Sequence, residues 1–429
     1  NREKIGVLFS WLILFRGDIP MFHRFSLVTL VLTLLLVGCN SDSDSSTSSE
    51  NARQAAQEGL ATLRKMATGP QYGFFGYESE SDVGNEDLGE PFAIKTLHFD
   101  DLVASTTPTE SLIIDDEELL YPVMVRGATI SSILIGRMTG DNWQFIETGS
   151  ADNINQALKM IAAYSFDRKS CYLMDLDEIE MELLGCQRDG SLRLVPLYSS
   201  SPSIVVGTEY SFADIADAMK SEVKDSRAEY ANMLPPVSDL SAEQFTLPQS
   251  QQSAESTKLL NVSLIGQEQD QWCWAATGRM TMLFAGGDAP QQCVQANAVF
   301  PSQNTCCQNG NTTVCNNPEY PRYNAWGFNS STRWANGYEN SVNPSWETIK
   351  NLISSGQPLA FLWGWNSGGG AHYMVAVGYY EDATTRTVYI NDPWPVGSGE
   401  RKAVRFEKWI GGDNYDNTLK LYIHNITPK

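Results

Sequence analysis

Cys273 sits in the run GQEQDQWCWAATGRMTMLFAGG, residues 266–287. After it, Ala276, Met280, Leu283 and Phe284 recur at helical spacing, and Gly286 and Gly287 supply a stop. The spacing predicts a helix with Cys273 at its N-terminus, where partial positive charge and unpaired N–H groups favour a thiolate. Six residues upstream, Gln267 offers an amide that could hold a developing oxyanion together with the Cys273 N–H, with Gln269 and Gln271 competing for the role. A thiolate nucleophile also needs an acid–base partner. His372 follows Gly368, Gly369 and Gly370 and opens an alternating, β-branched run over 373–380. A turn-like stretch at 381–386 leads to a second strand-like run at 387–390 and then Asn391-Asp392-Pro393. An antiparallel hairpin with its midpoint near residue 382 would set His372 across from Asp392. That carboxylate would fix the imidazole tautomer, leaving the other ring nitrogen to face Cys273. A register slip of one would put Asn391 in its place.

Around these residues, the spacing of Trp346, Ile349, Leu352 and Ile353 predicts a helix over 345–355, with Pro344 near its start and Gly356 after its end. Residues 359–365 read as a buried strand, and Trp272 and Trp274 as packing groups. Cys293, Cys306, Cys307 and Cys315 share a Gln/Asn-rich loop. Neighbouring cysteines seldom pair, so two of three pairings remain. Zinc fits poorly, because the loop has no C-x2-C pair and no nearby His. Cys171 and Cys186 form a further expected bridge in an exported protein. No metal or organic cofactor is called for. His98 and His424 have no partner in the sequence and read as structural.

The chain has 429 residues and a formal net charge of −21, which argues against nucleic-acid binding. Its long apolar stretches lie before residue 40, which excludes a polytopic membrane protein. From Met21 a short basic segment, an apolar run over 27–37 and Leu36-Val37-Gly38-Cys39 look like a bacterial lipoprotein signal peptide, with Cys39 acylated. Residues 1–20 are then an upstream extension and 40–50 a flexible tether. Asn40 after the Cys favours the outer membrane or cell surface within the cell envelope. Residues 258–429 hold 12 basic and 13 acidic residues, against 14 and 36 over 40–257. We therefore expect an acidic domain at 51–235, a linker at 236–257 rich in Pro, Ser and Gln, and a second domain at 258–429. The first domain reads as α+β. Helical spacing appears at Ala56, Leu60 and Leu63, at Ile154, Leu158 and Ile161, and at Phe212, Ile215 and Met219, the last capped by Ser211. Strand-like runs fall at 121–126, 129–136, 143–147, 170–176 and 192–198. The acidic cluster Asp115-Asp116-Glu117-Glu118 reads as a solvated face.

Gln267, the Trp272-Cys273-Trp274-Ala275-Ala276 run, the Gly-rich loop with His372 and Asn391-Asp392-Pro393 resemble the papain-like cysteine peptidases. The nearest likeness is to their compact bacterial branch of effector proteases and bacteriocin-leader-peptidase-like domains. The resemblance covers 258–429 and implies an α+β fold in which the Cys-bearing helix packs on an antiparallel sheet. It implies Cys273 as nucleophile, His372 as base and acid, Asp392 as its orienting residue and Gln267 as oxyanion donor, acting on a protein or peptide. The acidic domain would then be an inhibitory propeptide or a substrate-recruiting domain. The alternatives are acyl transfer or deamidation of the transglutaminase kind, which shares the Cys-His-Asp order, and an inactive papain-like binding lipoprotein.

Overall fold

Alternating and β-branched runs in both halves of the chain become strands, and the strands join. The computed structural model describes residues 42–138, 142–229, 233, 255–286, 289–300, 305–322, 333–336, 344–366, 370–411 and 415–427. Cys39 with the expected lipoprotein signal, and 236–254 of the expected linker, lie outside the described residues. Residues 1–51 and 52–429 form separate compact units. Of the first, residues 42–51 are described, as the start of helix α1 (Asp42–Met66). The expected tether is therefore helical from residue 42.

The N-terminal strands are β1 (Glu86–Leu88), β2 (Phe92–Leu97), β3 (Ile113–Val125), β4 (Ala128–Arg137), β5 (Trp143–Gly149), β6 (Cys171–Leu176), β7 (Met181–Arg188) and β8 (Ser191–Ser199). The later ones are β9 (Ser256–Leu259), β10 (Arg333–Asn336), β11 (Leu359–Trp365), β12 (Ala371–Glu381), β13 (Arg386–Asp392), β14 (Glu400–Arg405) and β15 (Asn417–Thr427). Among the described residues they make one sheet, ordered β10-β15-β11-β12-β13-β14-β5-β4-β3-β2-β6-β7-β8, with β1 on β3 and β9 on β12. The N-terminal and C-terminal strands meet at β5 and β14, where Thr148 pairs with Ala403 and Glu147 with Val404. With helices on this sheet, the fold is α+β.

Helices follow their apolar spacing. In α1, Ala52, Ala56, Leu60 and Leu63 are buried in one core with Ile133, Phe145, Tyr389 and Val404, so both halves share that core. A Cβ on Gly59 would come within 2.8 Å of the Phe145 ring, which is why the helix tolerates a glycine there. Helix α2 (Phe99–Ala104) is short. Helix α3 (Asp152–Tyr164) buries Ile154, Ala157 and Ile161, but Leu158, expected inward, is 39% exposed. Helix α4 (Phe212–Glu229) opens on a capping pair: the Asp214 N–H donates to Ser211 Oγ at 3.3 Å, and the Ser211 N–H donates to Asp214 Oδ2 at 2.9 Å.

Three disulfides join Cys171 to Cys186, Cys293 to Cys307 and Cys306 to Cys315. The first links residues directly opposite each other on β6 and β7. The other two settle which of the two remaining pairings the loop adopts. Cys306 and Cys315 are buried beside Trp272. Replacing both with Ser releases a short loop from its constraint and should cost about 2–3 kcal/mol of stability, read as a lower denaturation midpoint in urea.

Candidate active site

Three elements bring the candidate residues together. Helix α5 (Cys273–Phe284) begins at Cys273, the one free cysteine among the described residues, and it is buried. The helix is covered nearly all round; Leu283, expected on the inner face, is 43% exposed instead. Thr277 Oγ1 donates to the Tyr373 carbonyl of β12 at 3.1 Å, fastening the helix to the sheet. The Trp272 and Trp274 indoles are buried and donate to the Cys315 and Asn317 carbonyls at 2.8 and 3.1 Å. The disulfide loop is thereby tied to the helix start.

His372 lies on β12 and Asp392 at the end of β13, but they are not directly opposite. Val375 pairs with Asn391, and an irregularity follows between Ala376 and Gly378. The hairpin turn therefore falls later than expected, and Asp392 lies two positions along from His372 on the same face. Diagonal neighbours on a sheet face are about 7–8 Å apart at their backbones, within reach of long side chains. His372 Nε2 meets Asp392 Oδ1 at 2.6 Å. Asp392 Oδ1 also accepts from the Trp394 N–H at 2.9 Å. The other nitrogen, Nδ1, is buried with no hydrogen-bond partner among the described residues and is the one left for Cys273, which lies near enough to help raise the ring's pKa. Asn391 instead donates to the Val262 carbonyl at 3.0 Å, so it takes no part.

Gln267 is held by its backbone. Its N–H donates to the Pro393 carbonyl at 2.9 Å, and its carbonyl accepts from the Gly397 N–H at 2.8 Å. A Cβ on neighbouring Gly266 would lie 2.6–2.8 Å from the backbone of residues 397–399, so only glycine allows this approach. The Gln267 amide donates to the Asp270 carbonyl at 2.6 Å, and its Oε1 is buried without a partner. The segment is braced by Gln292 of helix α6 (Gln292–Val299), whose amide donates to the Gly266 carbonyl at 2.8 Å and accepts from the Glu268 N–H at 2.9 Å.

Two further charged groups belong to the site. Lys402 Nζ on β14 lies 3.1 Å from Asp392 Oδ2 and 2.6 Å from Glu400. Glu180, before β7, places Oε1 3.6 Å from His372 Nδ1. Neither carries a sequence signal: Lys402 is one basic residue in an ordinary strand, and Glu180 lies ninety residues before Cys273 in a stretch with no motif. Burial pulls the His372 ring toward neutrality, but the charge and hydrogen bond of Asp392, with Cys273 and Glu180 close by, outweigh it and hold its pKa well above the ordinary value. Burial likewise pushes Asp392 up, and the charges of Lys402 and His372 overcome it and hold the carboxyl below its usual range.

Beside the site lies a cavity of about 220 Å³, lined by nine carboxylates and two lysines, Lys402 and Lys408. Asp116 and Glu118 line it, while Asp115 pairs with Lys95 at 2.8 Å and Glu117 with Arg137 at 3.2 Å. Asp115, Asp116 and Glu117 are exposed, as expected of a solvated face, and Glu118 is half-buried. No group of His, Cys, Asp and Glu suited to a metal ion occurs among the described residues.

Residues 259–422 match the Peptidase_C39 like family. That match supports a cysteine-peptidase kind of function for the C39-like segment, which contains Gln267, Cys273, His372, Asp392 and Lys402. Among solved structures, the chain is similar to one from work on limited antibody cross reactivity between the mite allergens Blo t 1 and Der p 1. The two are 14% identical over 48% of this chain and 77% of that chain, with a TM-score of 0.26. A likeness at that score carries no weight for fold or chemistry. No curated protein matches the chain.

Two predictions follow from the charges of the C39-like segment and its surroundings. Asp392→Asn removes the anion that keeps His372 protonated, so His372 titrates at lower pH. The alkaline limb of the pH–rate profile should move down, with kcat/KM lower by roughly 10²-fold or more. In the cavity, burial pushes Glu118 and Glu182 up to about 8. The folded chain therefore holds these protons more tightly than the unfolded chain, and stability falls as pH rises between about 4 and 8. Thermal melts should show the midpoint dropping by roughly 5 °C or more across that window.

Proposed function

We propose that this chain is an exported cysteine peptidase, lipid-anchored in the cell envelope through Cys39, that hydrolyses peptide bonds in a protein or peptide substrate. The observation that carries the reading is the arrangement of a buried Cys273 at a helix N-terminus with a histidine whose Nε2 is held by Asp392 at 2.6 Å, leaving Nδ1 unpartnered among the described residues. The C39-like match supports the same reaction class.

Cys273 Sγ attacks the peptide carbonyl, forming a carbon–sulfur bond while the carbonyl electrons move to oxygen. The Gln267 amide and the Cys273 N–H hold that oxyanion. As the intermediate collapses, the carbon–nitrogen bond breaks and His372 gives its proton to the leaving amine. A water gives a proton to His372 and attacks the thioester carbon. The carbon–sulfur bond then breaks, restoring the Cys273 thiolate, and the product carboxylic acid loses its proton to solvent. Asp392 holds the imidazole orientation through both steps, and Lys402 keeps Asp392 ionised. The N-terminal region is read as a domain that restrains this chemistry in the intact chain.

Incubation of the Met21-start protein with a thiol-directed epoxide inhibitor, read by mass spectrometry under non-reducing conditions, tests the nucleophile. Single labelling at Cys273, lost in His372→Ala, is the expected result. An unlabelled Cys273, or equal labelling in the variant, contradicts an activated cysteine.

A further inference from the structure

The residues 177–181 that join β6 to β7 enter the site. Residues 177–179 form a 3-10 turn, and Glu180 follows with φ 46° and ψ 55°, a left-handed conformation uncommon for a residue with a Cβ. Such a conformation persists only where surrounding contacts over-determine it. Here they do: the Ser200 N–H donates to the Glu180 carbonyl at 3.2 Å, and Ser200 Oγ to the Ile179 carbonyl at 2.9 Å. Helix α4 braces the turn from the other side. Ser226 Oγ donates to the Glu178 carbonyl at 2.8 Å, and Arg227 Nε to Glu178 Oε1 at 2.6 Å. The same two groups press on the loop before His372. A Cβ on Gly370 would lie 2.6 Å from Ser226 Oγ and 3.1 Å from the Glu178 carbonyl oxygen.

The turn delivers one carboxylate. Glu180 Oε1 is 3.6 Å from His372 Nδ1, on the ring edge that serves Cys273. Its Oε2 is buried with no partner. The free space at His372 and Asp392 is a cavity of about 40 Å³, room for a water or so and not for a peptide residue. Peptide hydrolysis leaves its product carboxylate against the nucleophile, the histidine and the oxyanion donor. Glu180 puts a carboxylate against the histidine, on its Cys273 side.

We propose that Glu180 is a built-in product mimic whose carboxylate, held by residues 177–181, occupies the seat of the substrate acyl group and restrains the intact chain. The inference deepens the cysteine-peptidase reading and rests on it. Substrate and Glu180 compete for one seat, so turnover requires the turn to withdraw, by movement of the N-terminal region or by its cleavage.

The test measures the rate at which iodoacetamide alkylates Cys273 in the full-length chain, followed by mass spectrometry. Truncating one partner of a buried charge pair is strongly felt, so Glu180→Ala should raise the rate at least about tenfold over the unsubstituted chain. The isosteric Glu180→Gln, which keeps the shape and loses the charge, should raise it several-fold and serves if the alanine variant fails to fold. Rates equal to that of the unsubstituted chain in the folded variant overturn the proposal. Casein hydrolysis is scored on the same samples. Faster alkylation without new N-termini leaves Glu180 as the occupant and sinks the peptidase reading. Casein cleaved equally by the unsubstituted chain and the variant, with unchanged alkylation, sinks the occupant and keeps the reading.

Discussion

A line of alternating charge, Lys402–Asp392–His372, is withdrawn from water across three neighbouring strands, and the candidate site depends on it. Ions of this kind cost several kcal/mol each to bury unless their partners are well placed. Here β12, β13 and β14 supply one member each, so sheet pairing itself sets the spacing. Asp392 uses Oδ1 for the His372 ring and the Trp394 N–H, and Oδ2 faces Lys402. Glu400 then offsets the lysine at 2.6 Å. With the far side of the imidazole fixed, its near side has one direction left to face. Helix α5 brings Cys273 there, fastened to β12 through Thr277 and to the disulfide loop through its two tryptophans.

The N-terminal half is part of the same electrostatic arrangement. Part of its large excess of acidic residues is half-buried: Glu118, Asp177 and Glu182 face the cavity that Lys402 and Lys408 share. Burial pushes Lys402 toward neutrality, and the surrounding carboxylates overcome it and hold its pKa well above the ordinary value. Glu180 extends this acidic face to His372. The sheet pairing of β5 with β14 and the shared core around α1 hold both halves in contact.

Much of this was legible from residue types and periods. Cys273 at a helix start could be read because apolar spacing and a terminal glycine pair are local signals. The helices at Phe212 and Trp346 announced themselves the same way, the first down to its Ser211 cap; the second begins at Trp346, with Ser345, expected inside the helix, capping it. The His372–Asp392 pairing was found although its register was not. Alternation preserves which face a residue occupies, and an irregularity near Val377 shifts only the position along the strand. Leu158 and Leu283 were misjudged because a helical stripe says which residues align, not where packing stops. Lys402 and Glu180 were invisible for a different reason. Each acquires its role from a strand pairing or turn that brings distant residues together, and a single charged side chain carries no trace of that.

The central claim is that Cys273 cleaves peptide bonds with His372 and Asp392. Its most direct test is N-terminal mass spectrometry of casein incubated with the Glu180→Ala chain and with the Glu180→Ala, Cys273→Ala chain. The account predicts new casein N-termini with the first and none with the second. Cleavage that survives loss of Cys273, or crosslinked casein in place of new N-termini, would contradict it.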